Sequence, residues 1–172
     1  MNNYTLDYFQ KAWIIKINGK IFVTPGKNTL KVPSKKLGEA LIKDIKNKKS
    51  KKFVKKNLIS YAFFSIDIVN KDKKLFIDKI ISFAETDTLC YRAKKKSQLS
   101  SIQSDCWDPL LLWVERKFSM KFLKENTILP FSQPKDTIES IKIYLNKQDC
   151  HRLASMFYIS SYTNSYITML AM

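Results

Sequence analysis

The chain has 172 residues, 45% of them hydrophobic and 13% aromatic, a composition that fits a packed globular protein and excludes a disordered one. Thirty-one basic residues against 15 acidic ones give a formal charge of +16, so a nucleic acid or an anionic surface must be weighed as a partner. Three glycines and five prolines are sparse punctuation, which favours long helices and argues against an all-β sandwich.

The charge has a second explanation. Only Arg92, Arg116 and Arg152 are arginine and every other cation is lysine. Bidentate recognition of phosphates and bases favours the planar guanidinium, so a reader of nucleic acid is expected to keep more arginine. A solvated, compositional lysine surface and a functional basic one both stay open. The cysteines, Cys90, Cys106 and Cys150, are odd in number and lack CxxC spacing, and His151 is the lone histidine. Reduced thiols are expected, with neither a disulfide framework nor a zinc site. The N-terminus has no signal-peptide or transit-peptide pattern, which points to a cytoplasmic protein.

In chain order, Trp13–Ile17 and Lys20–Val23 read as strands joined by Asn18-Gly19, a turn pair that accepts positive φ at both positions. Thr24-Pro25-Gly26 ends the second strand, and Thr29–Val32 is a third extended piece. Ser34 is placed to cap a helix with Leu37, Ala40, Leu41 and Ile45 on one face. The lysine run Lys46–Lys56 reads as a solvated loop. Asn57–Val69 is the most apolar segment, and its stripe of Leu58, Tyr61, Ala62, Ile66 and Val69 predicts a central, largely buried helix. A second helix is expected over about 73–84.

After a connector at 86–92, Ser97 opens a helix with Leu99, Ile102, Cys106, Leu110 and Trp113 in phase. Asp108-Pro109 must either kink that helix or start a new one, with Asp108 as cap. Residues 118–134 read as an irregular connection. Helices follow over Pro134–Asn146 and Asp149–Leu170. The stretch from Leu153 to Met172 carries no charge, but its many serines and threonines suit a packed bundle helix better than a membrane anchor. The expected fold is α+β, with a small β unit at 1–56 carrying one helix and a mainly helical domain at 57–172.

No glycine-rich phosphate loop, nucleophile elbow or histidine box is present, so an enzyme is not expected. An enzymatic reading would need Cys90, His151 and an acid to converge. Arg92 is expected to clamp a carboxylate, with Asp87 and Asp108 as the natural partners. Trp107 and Trp113 could each serve the core or a binding surface.

Thr86-Asp87-Thr88-Leu89-Cys90-Tyr91-Arg92, Leu99–Gln103 and Trp107-Asp108-Pro109-Leu110-Leu111 with Trp113 together resemble the ATP12 family of F1-ATPase assembly chaperones. Gly19-Lys20, Thr24-Pro25 and Leu30-Lys31-Val32-Pro33-Ser34 with Leu37 match the family's opening in the right order. The likeness runs from about Tyr8 to Phe122. It departs in the first helix, where Asp44, Ile45 and Lys48 stand in place of the family's Glu-Trp pair and glutamine. Family members also run on past the last helix here, so a reduced form or a partial chain is expected.

The resemblance implies a protein that binds the free F1 α subunit, covers the surface later buried against β, and needs neither cofactor nor metal. It implies no small-molecule substrate and no membrane insertion. The expected place is the bacterial cytoplasm, or the mitochondrial matrix of a eukaryote. Trp107, Asp108, Arg92 and Trp113 are the candidate partner contacts; Asp87, Cys90, Tyr91 and Pro109 are the structural part of the motif. The alternative is a basic nucleic-acid-binding module.

Overall fold

The computed structural model describes residues 2–47 and 57–172, so the lysine run from residue 48 onward, Lys48 included, lies outside the described residues. The fold is α+β: four antiparallel strands followed by a mainly helical region. The chain packs as two units, Met1–Lys73 and Lys74–Met172.

In the first unit, β2 (Ala12–Ile17) is the central strand. It pairs with β1 (Tyr4–Phe9) on one side and with β3 (Lys20–Ile21) and β4 (Lys31–Val32) on the other. The Asn18-Gly19 turn forms as its chemistry requires, with φ of 51° and 77°. Strand β1 carries no such signal. It returns to β2 through Gln10 and Lys11, at φ 49° and 60°, a conformation those side chains disfavour.

Helix α1 (Lys35–Lys46) begins at Ser34, whose hydroxyl accepts the Leu37 N–H. Gly38 lies on its buried face, where an added Cβ would meet a Leu6 methyl at 2.6 Å, so glycine lets helix and sheet close up. Ala40 is exposed, and Leu41 is the buried anchor of that face.

Helix α2 (Leu58–Phe64) runs on into one π-helical turn (Ser65–Val69). Its buried residues are Ile59, Ala62, Ser65 and Val69, whereas Leu58 and Ile68 face solvent, so the inward face is rotated from the expected stripe. Ile59 and Ala62 join Ile15, Leu30, Val32 and Leu41 in one core. By packing, α2 therefore belongs with the sheet, and the units divide after Lys73 rather than at residue 56.

Asp67 sits in the π-helical turn and organises the Thr24-Pro25-Gly26 corner. Its carboxylate accepts from the Thr24 hydroxyl, the Gly26 N–H (2.9 Å) and Asn28 Nδ2 (2.8 Å). Burial works against its charge, but these hydrogen bonds outweigh it and hold the carboxyl below the ordinary carboxylate range.

The second unit contains α3 (Lys73–Glu85, entered from the first), a 3₁₀ turn (Thr88–Cys90), α4 (Gln98–Phe118), α5 (Lys135–Asn146), α6 (Cys150–Thr163) and α7 (Tyr166–Ala171). Helix α4 passes straight through Pro109, so Asp108 is interior to the helix and does not cap a new one. The carbonyl that Pro109 leaves without its helical donor belongs to exposed Asp105, where water can satisfy it. Leu99, Ile102 and Cys106 of the expected stripe are exposed, and Leu111 and Val114 are the buried residues of α4.

The last expected helix is two. Asn164 turns left-handed at φ 48° to end α6, and the Ser165 hydroxyl accepts the Thr168 N–H to start α7. Leu153, Ala154, Met156, Tyr166, Ile167 and Met169 are buried. Among the described residues no helix is long and apolar enough to cross a membrane.

The Asp67 clasp generates a prediction. Asp67→Ala is expected to cost about 2 kcal/mol in urea unfolding followed by circular dichroism, because buried Thr24 and the Gly26 amide lose their acceptor. Gly26→Ala is also expected to destabilise, since a Cβ there would lie 2.7–3.0 Å from the same carboxylate.

Candidate functional site

The residues marked by the motif converge at the connector between α3 and α4. Asp87 is fully buried and forms no salt bridge among the described residues, Arg92 and Lys124 being paired with Asp108. One carboxylate oxygen accepts the Leu89 N–H (2.9 Å) and so shapes the 3₁₀ turn. The other accepts the Ser165 hydroxyl (3.0 Å) and the Ile167 N–H (2.9 Å) of the α6–α7 corner. Thr88 adds two bonds to that corner, donating its N–H (3.1 Å) and hydroxyl (2.9 Å) to the Asn164 carbonyl. The connector at 86–92 thereby fixes a corner of the fold 78 residues further along. Burial pushes the Asp87 carboxyl up to about 6, against the hydrogen bonds, which favour its charge.

Cys90, the last residue of this turn, is buried. Burial and the neighbouring Asp87 charge push its thiol up to about 12, so it is a neutral packing group and not an activated nucleophile.

Arg92 leaves the connector with its side chain almost wholly enclosed (6% exposed). Its Nε–H donates to the Leu89 carbonyl (2.8 Å), its Nη2 pairs with Asp108 Oδ1 (2.8 Å), and the guanidinium lies 5.2 Å from the Trp107 ring centroid. The second Asp108 oxygen takes Lys124 Nζ at 2.9 Å. Burial opposes the Asp108 charge, but Lys124 and Arg92 together hold its carboxyl below the usual range. Of the two carboxylates expected for Arg92, the structure supplies Asp108. Asp87 instead spends its lone pairs on backbone and serine donors.

Trp107 and Trp113 are both half-buried. Trp113 stacks edge-on with Phe118 (5.5 Å), which meets Tyr144 of α5 (5.4 Å), while Lys117 lies 5.0 Å from the Trp113 ring. Its outer side joins Pro109, Leu112, Arg116 and Lys117 in a shallow, mostly apolar depression of about 410 Å³. Tyr91 packs on Phe131 at 5.0 Å. The motif thus brings Asp87, Cys90, Tyr91, Arg92, Trp107 and Asp108 into one packed junction, and Trp113 and Pro109 lie along α4 from it. Sequence reasoning missed the Ser165 and Ile167 partners, whose distance along the chain leaves no local signal. It also missed Lys124. Among the described residues no three His, Cys, Asp or Glu side chains are grouped to hold a metal ion.

Two outcomes are expected. Arg92→Ala should cost about 2 kcal/mol in thermal or urea unfolding, because Asp108 loses its enclosed partner and Trp107 its covering cation, while Lys124 retains part of the charge pairing. For Asp87, the folded carboxyl holds its proton to higher pH than the unfolded one, at about 6 against 3.8. The fold then binds more protons between these values, so this group's contribution to stability falls as pH rises through that window and is flat above it. Asp87→Asn removes the dependence. Relative to the parent, its stability should rise between acid and neutral pH by up to about 3 kcal/mol, whatever constant offset the amide adds. Melting curves at a series of pH values read the slope.

The family model for the ATP12 chaperone protein matches residues 3–115. Among solved structures, the Atu1473 protein from Agrobacterium tumefaciens superposes with a TM-score of 0.86 at 28% identity, covering 98% of this chain and 64% of its own. Atp12 from Paracoccus denitrificans matches with a TM-score of 0.85, and its D202K mutant with 0.86, each at 20% identity over 98% of this chain and 72% of theirs. These last two share the fold. This chain therefore spans a little under two thirds of the Agrobacterium protein's length. With the family model covering more than half of the chain, and the Asp87–Arg92 and Trp107–Pro109 motifs joined in one junction, the chain belongs to the ATP12 chaperone family.

Proposed function

We propose that this protein is an F1-ATPase assembly chaperone that binds the free α subunit and covers the surface α later buries against β. The observation that carries the reading is the family match over residues 3–115. An unassembled subunit exposes an apolar interface that invites aggregation, and a holding partner must cover it and later leave. A surface mixing aromatic, aliphatic and cationic groups suits such a reversible contact better than a wholly apolar one. The α4 face around Trp113, Leu112 and Lys117 has that character. In this reading Trp107 and Trp113 touch the client, and Arg92 and Asp108 hold Trp107 in place. The protein acts where F1 is assembled, in the bacterial cytoplasm or the mitochondrial matrix, without nucleotide or metal.

Co-expression with the cognate F1 α subunit, followed by size-exclusion chromatography, is the test. Co-elution of the two chains and retention of α in the supernatant are expected. If α neither co-elutes nor escapes precipitation, the proposal fails.

A further inference from the structure

The connection between α4 and α5 is built in a way that the motif junction does not require. At its base, buried Gln133 clasps the Leu123 backbone from both sides, accepting its N–H (2.9 Å) and donating to its carbonyl (3.3 Å). Glu125 forms a strand-like bridge with the motif connector: its N–H donates to the Cys90 carbonyl and its carbonyl accepts the Arg92 N–H, both at 2.9 Å. Asn126 donates to the Ala93 carbonyl, and the Thr127 hydroxyl accepts the Leu129 N–H (2.9 Å). The backbone is thus tied down, yet its tip holds Ile128 97% and Leu129 69% exposed. Two adjacent aliphatic side chains held in water on a pinned loop are placed for a contact rather than left over from the core.

Opposite the tip lies the segment Arg92–Lys95, and together they line an open cleft of about 760 Å³. The charges around it are unbalanced. Asp108 is already occupied by Arg92 and Lys124, and Glu125 is the one acid between Lys121 and Gln133. Lys94 and Lys95 are exposed and stand in no ion pair among the described residues. The cleft therefore offers an aliphatic wall and a cationic wall. It lacks free arginine and aromatic platforms for stacking bases, which disfavours single-stranded nucleic acid.

We propose that Arg92–Lys95 and the Ile128–Leu129 tip form a docking cleft for a client segment that combines aliphatic with acidic side chains. The proposal rests on the chaperone reading for the identity of the client, the F1 α subunit, but not for the chemistry of the segment.

The test uses the 172-residue chain, two surface variants and defined probes. Ile128→Ser/Leu129→Ser removes the aliphatic wall, and Lys94→Glu/Lys95→Glu reverses the cationic one; all four side chains are exposed, so both variants are expected to fold. Fluorescence anisotropy follows a labelled peptide alternating leucine with glutamate, and its leucine–lysine counterpart. The parent should prefer the glutamate peptide, each variant should weaken it by about tenfold or more, and the charge-reversed variant should gain affinity for the lysine peptide.

Unchanged affinity in both variants, or no binding by the parent, overturns the proposal. So does binding of duplex DNA or phosphatidylglycerol vesicles that the variants abolish while the peptide stays unbound, or a dimer of this chain that the serine variant dissolves. Retention of F1 α by the parent and by both variants alike would place the client elsewhere, overturning the cleft and leaving the chaperone function standing. Loop-dependent peptide binding by a chain that ignores F1 α would support the cleft and sink that function.

Discussion

A buried carboxylate with no salt-bridge partner among the described residues is the constraint on which the second unit turns. Asp87 stands in no salt bridge among the described residues, so its contacts must be correctly aimed donors. The left-handed break at Asn164 ends α6, and just past it Ser165 and the Ile167 amide meet the same Asp87 oxygen. Asp87 also caps the 3₁₀ turn that carries Cys90, accepting the Leu89 N–H where α3 does not continue. The connector and the C-terminal corner are therefore a single polar assembly surrounded by apolar residues, and neither half is satisfied without the other.

The Arg92 cluster is of a different kind. Its one carboxylate is shared by two cations, and its enclosed guanidinium meets three unlike partners at once: a carbonyl, a carboxylate and an indole face. A lysine could satisfy one of them. In a chain with three arginines among 31 basic residues, an arginine held in this geometry is informative. The first unit uses the same economy in Asp67, where one carboxylate in a π-helical turn organises a proline–glycine corner directly.

Legibility from sequence followed the range of the interactions. The Asn18-Gly19 hairpin, the Ser34 cap and the α5 span were visible because turn chemistry and helix periodicity act within a few residues. The motif pointed to a junction and to the Arg92–Asp108 pair. Strand β1 was invisible because Gln10-Lys11 is an unusual turn whose strand is selected by pairing with β2. The inward face of α2 was misjudged since Phe63 and Phe64 spread apolar character around the helix and the π-helical turn shifts the phase. For α4, periodicity found a stripe but could not say whether protein or solvent covers it. The Asp87 partners were beyond reach altogether, because a serine and an amide far along the chain carry no mark of what they will bind.

The scarcity of glycine has a price that the core must offset. Apart from Asn18 and Asn164, which tolerate the left-handed region, Gln10, Lys11, Lys27, Lys96 and Ser119 all adopt positive φ. Each such residue costs about 1 kcal/mol relative to glycine, and the sum approaches the lower end of a small domain's net stability. Five exposed turn residues thus give back part of the stability that the apolar core supplies, and glycine at any of them is a place where the chain could gain it.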